Sequence, residues 1–155
     1  MRRVLAAAAF TMGSCAVASA AVGTINFTGN VAATCSLSVT NGSAIMTPSS
    51  NLQTLSSKNG GGTAGTVAVT TTGGVVLGVD AASSLIQPTG DVTATTWTPS
   101  YSLSGVSTVS DTSLPSTISS PGTGTINVNL TGTKSGINSF VTGSYSAVVT
   151  VRCEP

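Results

Sequence analysis

Gly143-Ser144-Tyr145-Ser146-Ala147-Val148-Val149-Thr150-Val151-Arg152-Cys153 is the stretch that decides the fold. Tyr145, Ala147, Val149 and Val151 recur at every second position, the period of a strand with one apolar face. The run ends on a cysteine. A matching stretch opens the chain, from Gly23-Thr24-Ile25-Asn26-Phe27-Thr28-Gly29-Asn30-Val31 through Cys35 to Val39. It reads as the first strand, and Gly143–Cys153 reads as the last.

Between these ends the same alternation returns. Val67 and Val69 alternate with Thr66, Ala68 and Thr70, and Val75 to Val79 form a denser apolar run. Tyr101 and Leu103 alternate with serines. Ile126, Val128 and Leu130 alternate with Thr125, Asn127 and Asn129. Turn formers separate the runs: Asn41-Gly42, Asn59 to Gly62, Gly73-Gly74, Pro88-Thr89-Gly90 and Ser120-Pro121-Gly122. Thr131-Gly132-Thr133 and Thr142-Gly143-Ser144 read as two more turns. No helical period is sustained after Ala21. Many short strands and no helix predict an all-β, antiparallel β-sandwich.

The first residues read as an export signal. Arg2 and Arg3 precede an apolar run from Val4 to Met12, and Ala18-Ser19-Ala20 is a small-x-small cleavage site. The expected organisation is a signal peptide over residues 1–20 and one domain over residues 21–155. The apolar run is too short for an integral membrane span, which takes about 20 residues. Met12-Gly13-Ser14-Cys15 offers an alternative, a loose lipobox that would make Cys15 a lipidated N-terminus. Otherwise Cys15 leaves with the signal. Cys35 and Cys153 are then the only thiols, and in an exported chain they are expected to form a disulfide. Two thiolates with no histidine fall short of a zinc site.

Only 6% of the residues are charged. Beyond residue 20 these are Lys58, Lys134 and Arg152 against Asp80, Asp91, Asp111 and Glu154. Such a chain has no electrostatic footprint for nucleic acid. There is no histidine, which removes the usual general base and every Ser-His or Cys-His pair. The four acids are scattered, and Asp80 and Asp91 flank turns, where aspartate usually caps backbone. The chain therefore reads as a non-enzyme with no cofactor and no metal. Trp97 and Tyr101 are candidate ligand contacts for a sugar face, weighed against a role as aromatic core anchors.

Gly23-Thr24-Ile25-Asn26-Phe27-Thr28-Gly29-Asn30-Val31, with Thr34-Cys35 behind it, resembles the opening of chaperone–usher pilins. Gly143-Ser144-Tyr145-Ser146-Ala147 with its following apolar residues resembles the pilin last strand, and the spore-coat-U-like secreted proteins carry the same pattern. The resemblance implies an immunoglobulin-like sandwich that lacks one strand. It implies a periplasmic chaperone, an usher and like subunits as partners, with fibre or homo-oligomer formation by β-strand exchange. Ile25, Phe27 and Val31 would line one side of the exchange groove, and Tyr145, Ala147, Val149 and Val151 the other. With Gly23 already inside the first strand, only Ala21-Val22 would precede it, too little to act as a donor strand.

The expected function is that of an exported structural or adhesive surface subunit, periplasmic and then at the cell surface or secreted. The alternative is a self-contained, non-catalytic sugar- or surface-binding module that uses Trp97 and Tyr101.

Overall fold

The computed structural model describes residues 21–155, and the expected signal with Cys15 lies outside them. The chain divides after Asn30 into two units, of which Val31–Pro155 is the β domain. The domain holds twelve strands: β1 (Cys35–Asn41), β2 (Thr47–Pro48), β3 (Thr54–Ser56), β4 (Gly65–Thr71), β5 (Val75–Val79), β6 (Ser83–Ile86), β7 (Thr95–Gly105), β8 (Val109–Thr112), β9 (Ser116–Ile118), β10 (Gly122–Lys134), β11 (Ser146–Val148) and β12 (Val151–Glu154). Among the described residues there is no helix, and the strand pairs are antiparallel. No helix there is long and apolar enough to cross a membrane.

The longest strand, β10, organises the largest sheet. It pairs with β4 and β7 along its length and with β3 near its end. Its alternation sends Ile126, Leu130, Gly132 and Lys134 to the buried side. β1 completes the sheet beyond β4, β2 beyond β3, and β8 beyond β7. A second sheet runs β12-β5-β9, and β11 pairs with β6 alone. The core joins the first two sheets. Val67, Val69, Tyr101, Leu103 and Ile126 come from one, and Val75, Leu77 and Ile118 from the other. Alternating Val and Thr suit strands with one face in that core and one in water.

Three expectations are corrected. The first strand starts at Cys35, not at Gly23. Cys35 lies opposite Thr71, the last residue of β4, and the chain then turns into β5 through Gly73 and Gly74. Residues before Thr34 have no neighbouring strand left to pair with. A Cβ on Gly73, whose φ is +87°, would sit 2.4 Å from the Ser119 carbonyl oxygen, so the turn requires glycine.

The last strand is two strands, β11 and β12. They pair with different partners, β6 and β5, and the break at Val149-Thr150 falls where Asp80 to Ala82 separates those partners.

Thr131-Gly132-Thr133 is not a turn. It lies inside β10, opposite Thr96 to Thr98. Its glycine makes room for an aromatic ring instead. A Cβ on Gly132 would lie 2.6 Å from Trp97 Cζ3. Gly132→Val is therefore expected to lift Trp97 off the sheet and cost roughly 1–3 kcal/mol. Urea unfolding followed by Trp97 fluorescence measures this. An unchanged midpoint would show that the ring contact contributes nothing.

Candidate functional site

Two strand edges face each other without pairing. β1 has β4 on one side only, and β11 and β12 each have a single neighbour. Between them lies an open groove of about 480 Å³. Leu37, Val39 and Asn41 of β1 form one rim, and Ala147 to Val151 form the other. Val128 and Leu130 of β10 contribute to its lining, as does Met46. A second trough of about 580 Å³ shares Ala44, Met46 and Ala147 with the first and extends to Phe140 and Tyr145. No charged residue lines either one. Val39 is 68% exposed, unusual for an apolar residue of this strand.

The disulfide closes one end. Cys35 begins β1 and Cys153 lies in β12, and the two are bonded with their Cα atoms 6.0 Å apart. The expected pairing is present, and it ties one rim of the groove to the other. Cys35→Ser is expected to lower stability by roughly 2–5 kcal/mol. It is also expected to let the rims separate, read as faster hydrogen exchange in β1 and β12. An unchanged midpoint would contradict this.

A buried polar cluster holds the opposite end. Lys134 Nζ donates to Asp91 Oδ1 at 2.6 Å and to the Thr93 carbonyl at 2.8 Å. The side chains of Lys134 and Asp91 are fully buried. Tyr145 donates its hydroxyl proton to Asp91 Oδ2 at 2.6 Å and accepts from the Val141 amide at 3.2 Å. The Phe140 ring lies 4.9 Å from Lys134 Nζ and packs edge-on against Tyr145 and Trp97. The cluster thus fixes Tyr145, the residue just before β11, to β10 and to the loop after β6. A buried ion of either sign is tolerated only because the other, and these hydrogen bonds, accompany it.

The Lys134 ammonium, then the Tyr145 hydroxyl, hold the Asp91 carboxyl down to about 2, although burial works the other way. Burial and the Asp91 carboxylate push Tyr145 up. The ordinary value for Asp91 is 3.8, so its stabilisation is complete above about pH 4 and is lost as pH falls through about 2. Acid titration of stability in that window, compared with Asp91→Asn, is expected to show a pH dependence that the variant lacks. Lys134→Met leaves the carboxylate buried and unpaired and is expected to cost roughly 3–5 kcal/mol. The double variant with Asp91→Leu should recover part of it. A single variant as stable as the parent would contradict this account.

The expected site residues fall into three groups. Ala147, Val149 and Val151 line the groove, and Tyr145 lines the adjoining trough. Ile25, Phe27 and Val31 stand ahead of β1 in the chain. They lie outside any strand and are 79%, 92% and 80% exposed. β1 builds one rim of the groove through Leu37, Val39 and Asn41. Tyr101 is fully buried, and its hydroxyl meets the carbonyls of Leu77 and Leu114 at 3.0 and 3.1 Å. It anchors the core and has no surface to offer a sugar. Trp97 is half-buried over Gly132.

Asp80 pairs with Arg152 at 2.7 Å on the surface, and Asp111 pairs with Lys58. Asp91 does cap a turn, since the Thr93 amide donates to it at 3.3 Å, but its main partner is Lys134. The signal was available: Lys134 continues the inward positions 126, 128, 130 and 132 of β10.

Comparison of the chain with family models, curated proteins and solved structures gives no match.

Proposed function

We propose that the chain is an exported structural or adhesive surface subunit that assembles by β-strand exchange, in the manner of pilin-like and spore-coat-U-like proteins. One observation carries the reading. An uncharged apolar groove lies between two unpaired strand edges, in a chain that also carries an unpaired strand-patterned segment. Unpaired edges take up an added strand, whose main chain supplies hydrogen bonds and whose alternate side chains fill the groove. The segment Gly23–Val31 has the required form. Ile25, Phe27 and Val31 share one face with Gly29 and alternate with Thr24, Asn26, Thr28 and Asn30, and no charge interrupts them. In this reading the segment acts as the donor, supported by its place ahead of β1, which starts at Cys35.

In this reading the domain is an immunoglobulin-like sandwich short of one strand. A periplasmic chaperone would cover the groove until an usher brings subunits together, and the assembled product stands at the cell surface. Burying Ile25, Phe27 and Val31 would contribute roughly 1.5–3 kcal/mol for each side chain before ordering costs.

Phe27→Asp provides the test. Phe27 is 92% exposed, so the substitution is expected to leave the melting temperature of the isolated subunit unchanged. It is also expected to abolish concentration-dependent oligomerisation, measured by light scattering. A variant that assembles like the parent would rule out this segment as the donor.

A further inference from the structure

The stretch between donor and groove is held in a fixed line. Thr34 lies opposite Thr72, continuing the register that places Cys35 opposite Thr71. The Thr34 amide donates to Thr72 Oγ1 at 2.7 Å, and Thr72 Oγ1 donates to the Ala32 carbonyl at 2.9 Å. The Thr72 amide and Thr71 Oγ1 both donate to the Thr34 carbonyl, at 3.1 and 2.9 Å. Ala32 to Thr34 therefore extend the line of β1 past the disulfide, and the chain is not free to reverse before Val31.

From these contacts we infer that Thr72 is a clamp that forces the donor segment to serve a second copy of this chain and never its own groove. The inference rests on the strand-exchange reading. Its basis is hairpin register. To enter its own groove, the segment must fold back antiparallel to β1. Short hairpin loops have two to five residues. A loop with an even number of residues would put Ile25 and Phe27 opposite Ser36, Ser38 or Thr40, on the solvent face, because a one-residue slip exchanges the two faces of a strand. An odd loop is needed. With Ala32 clamped, a three-residue loop must use 29–31. That places Phe27 opposite Ala33 and Ile25 opposite Cys35, short of the rim formed by Leu37, Val39 and Asn41. A five-residue loop would consume Phe27 itself. Without the clamp the loop can use 31–33, and Phe27 then faces Leu37 while Ile25 faces Val39. A few hydrogen bonds on an exposed threonine thus separate a self-closing monomer from a subunit that can only assemble.

The test places a photo-reactive benzoylphenylalanine at Phe27 in the full exported chain. Equal amounts of nitrogen-14 and nitrogen-15 protein are mixed before assembly, and cross-linked peptides are read by mass. The parent is expected to cross-link to groove peptides containing Met46 or Val149, with mixed-isotope products showing that the link joins two chains. Thr72→Val removes the hydroxyl in an exposed position and is expected to raise the share of links within one chain several-fold. Thr72→Ser should restore the parental pattern. A flexible insert of about six Gly and Ser residues between Val31 and Ala32 should give monomers linked within one chain at high dilution. Links within one chain in the parent would overturn the clamp and leave strand exchange standing. Thr72→Val behaving as the parent would also overturn it. No link to any groove peptide would overturn both.

Discussion

The backbone along β1 and along β11–β12 has hydrogen-bonding groups on one side that no strand of the described domain satisfies. The rest of the structure depends on that constraint. Peptide groups beside an apolar surface are costly unless they are paired or wet, and the groove between these edges is apolar, uncharged and open. A domain built this way holds its edges in place without closing them. The disulfide joins the rims at the end where Cys35 and Cys153 sit, and the Lys134–Asp91–Tyr145 cluster fixes the start of β11 near the other. Between those two fixed points the groove is kept at a width set by the fold and not by an occupant.

The two devices differ in physical kind, and each suits its place. The disulfide acts on the unfolded chain, because joining residues 118 apart removes conformational freedom from nearly the whole domain. The ion pair acts on the folded state, where both charges are buried and each depends on the other. The low-lying Asp91 carboxyl stays ionised through mildly acidic conditions, so its bonds at the groove end are insensitive to pH above about 4.

Much of this was legible from alternation. Val67–Val69, Val75–Val79, Tyr101–Leu103 and Ile126–Leu130 became β4, β5, β7 and β10, and Cys35 and Cys153 formed the expected disulfide. The misreadings share a cause. A period of two reports the conformation a segment adopts when paired and says nothing of whose strand it pairs with. Ile25, Phe27 and Val31 look the same as a first strand or as a strand meant for elsewhere. The end of β4 at Thr71 leaves them outside β1, which starts at Cys35. Gly132 reads as a turn because glycine serves turns and close packing alike, and the difference lies in Trp97 on the neighbouring strand. In the sequence Lys134 reads only as one of the few charges, although it occupies an inward position of the clearest strand in the chain. Leu37, Val39 and Met46 form the groove through tertiary placement, which no local pattern encodes.

The central claim is that the edges of β1 and β12 are completed by an extended strand. Residue-resolved hydrogen exchange, comparing dilute with concentrated protein, addresses it most directly. The account predicts that amides from Ile25 to Val31 and those along Leu37–Asn41 and Val151–Cys153 gain protection together and to the same extent as the protein associates. Association that leaves residues 25–31 exchanging freely, or that protects them while both edges stay unprotected, would contradict it.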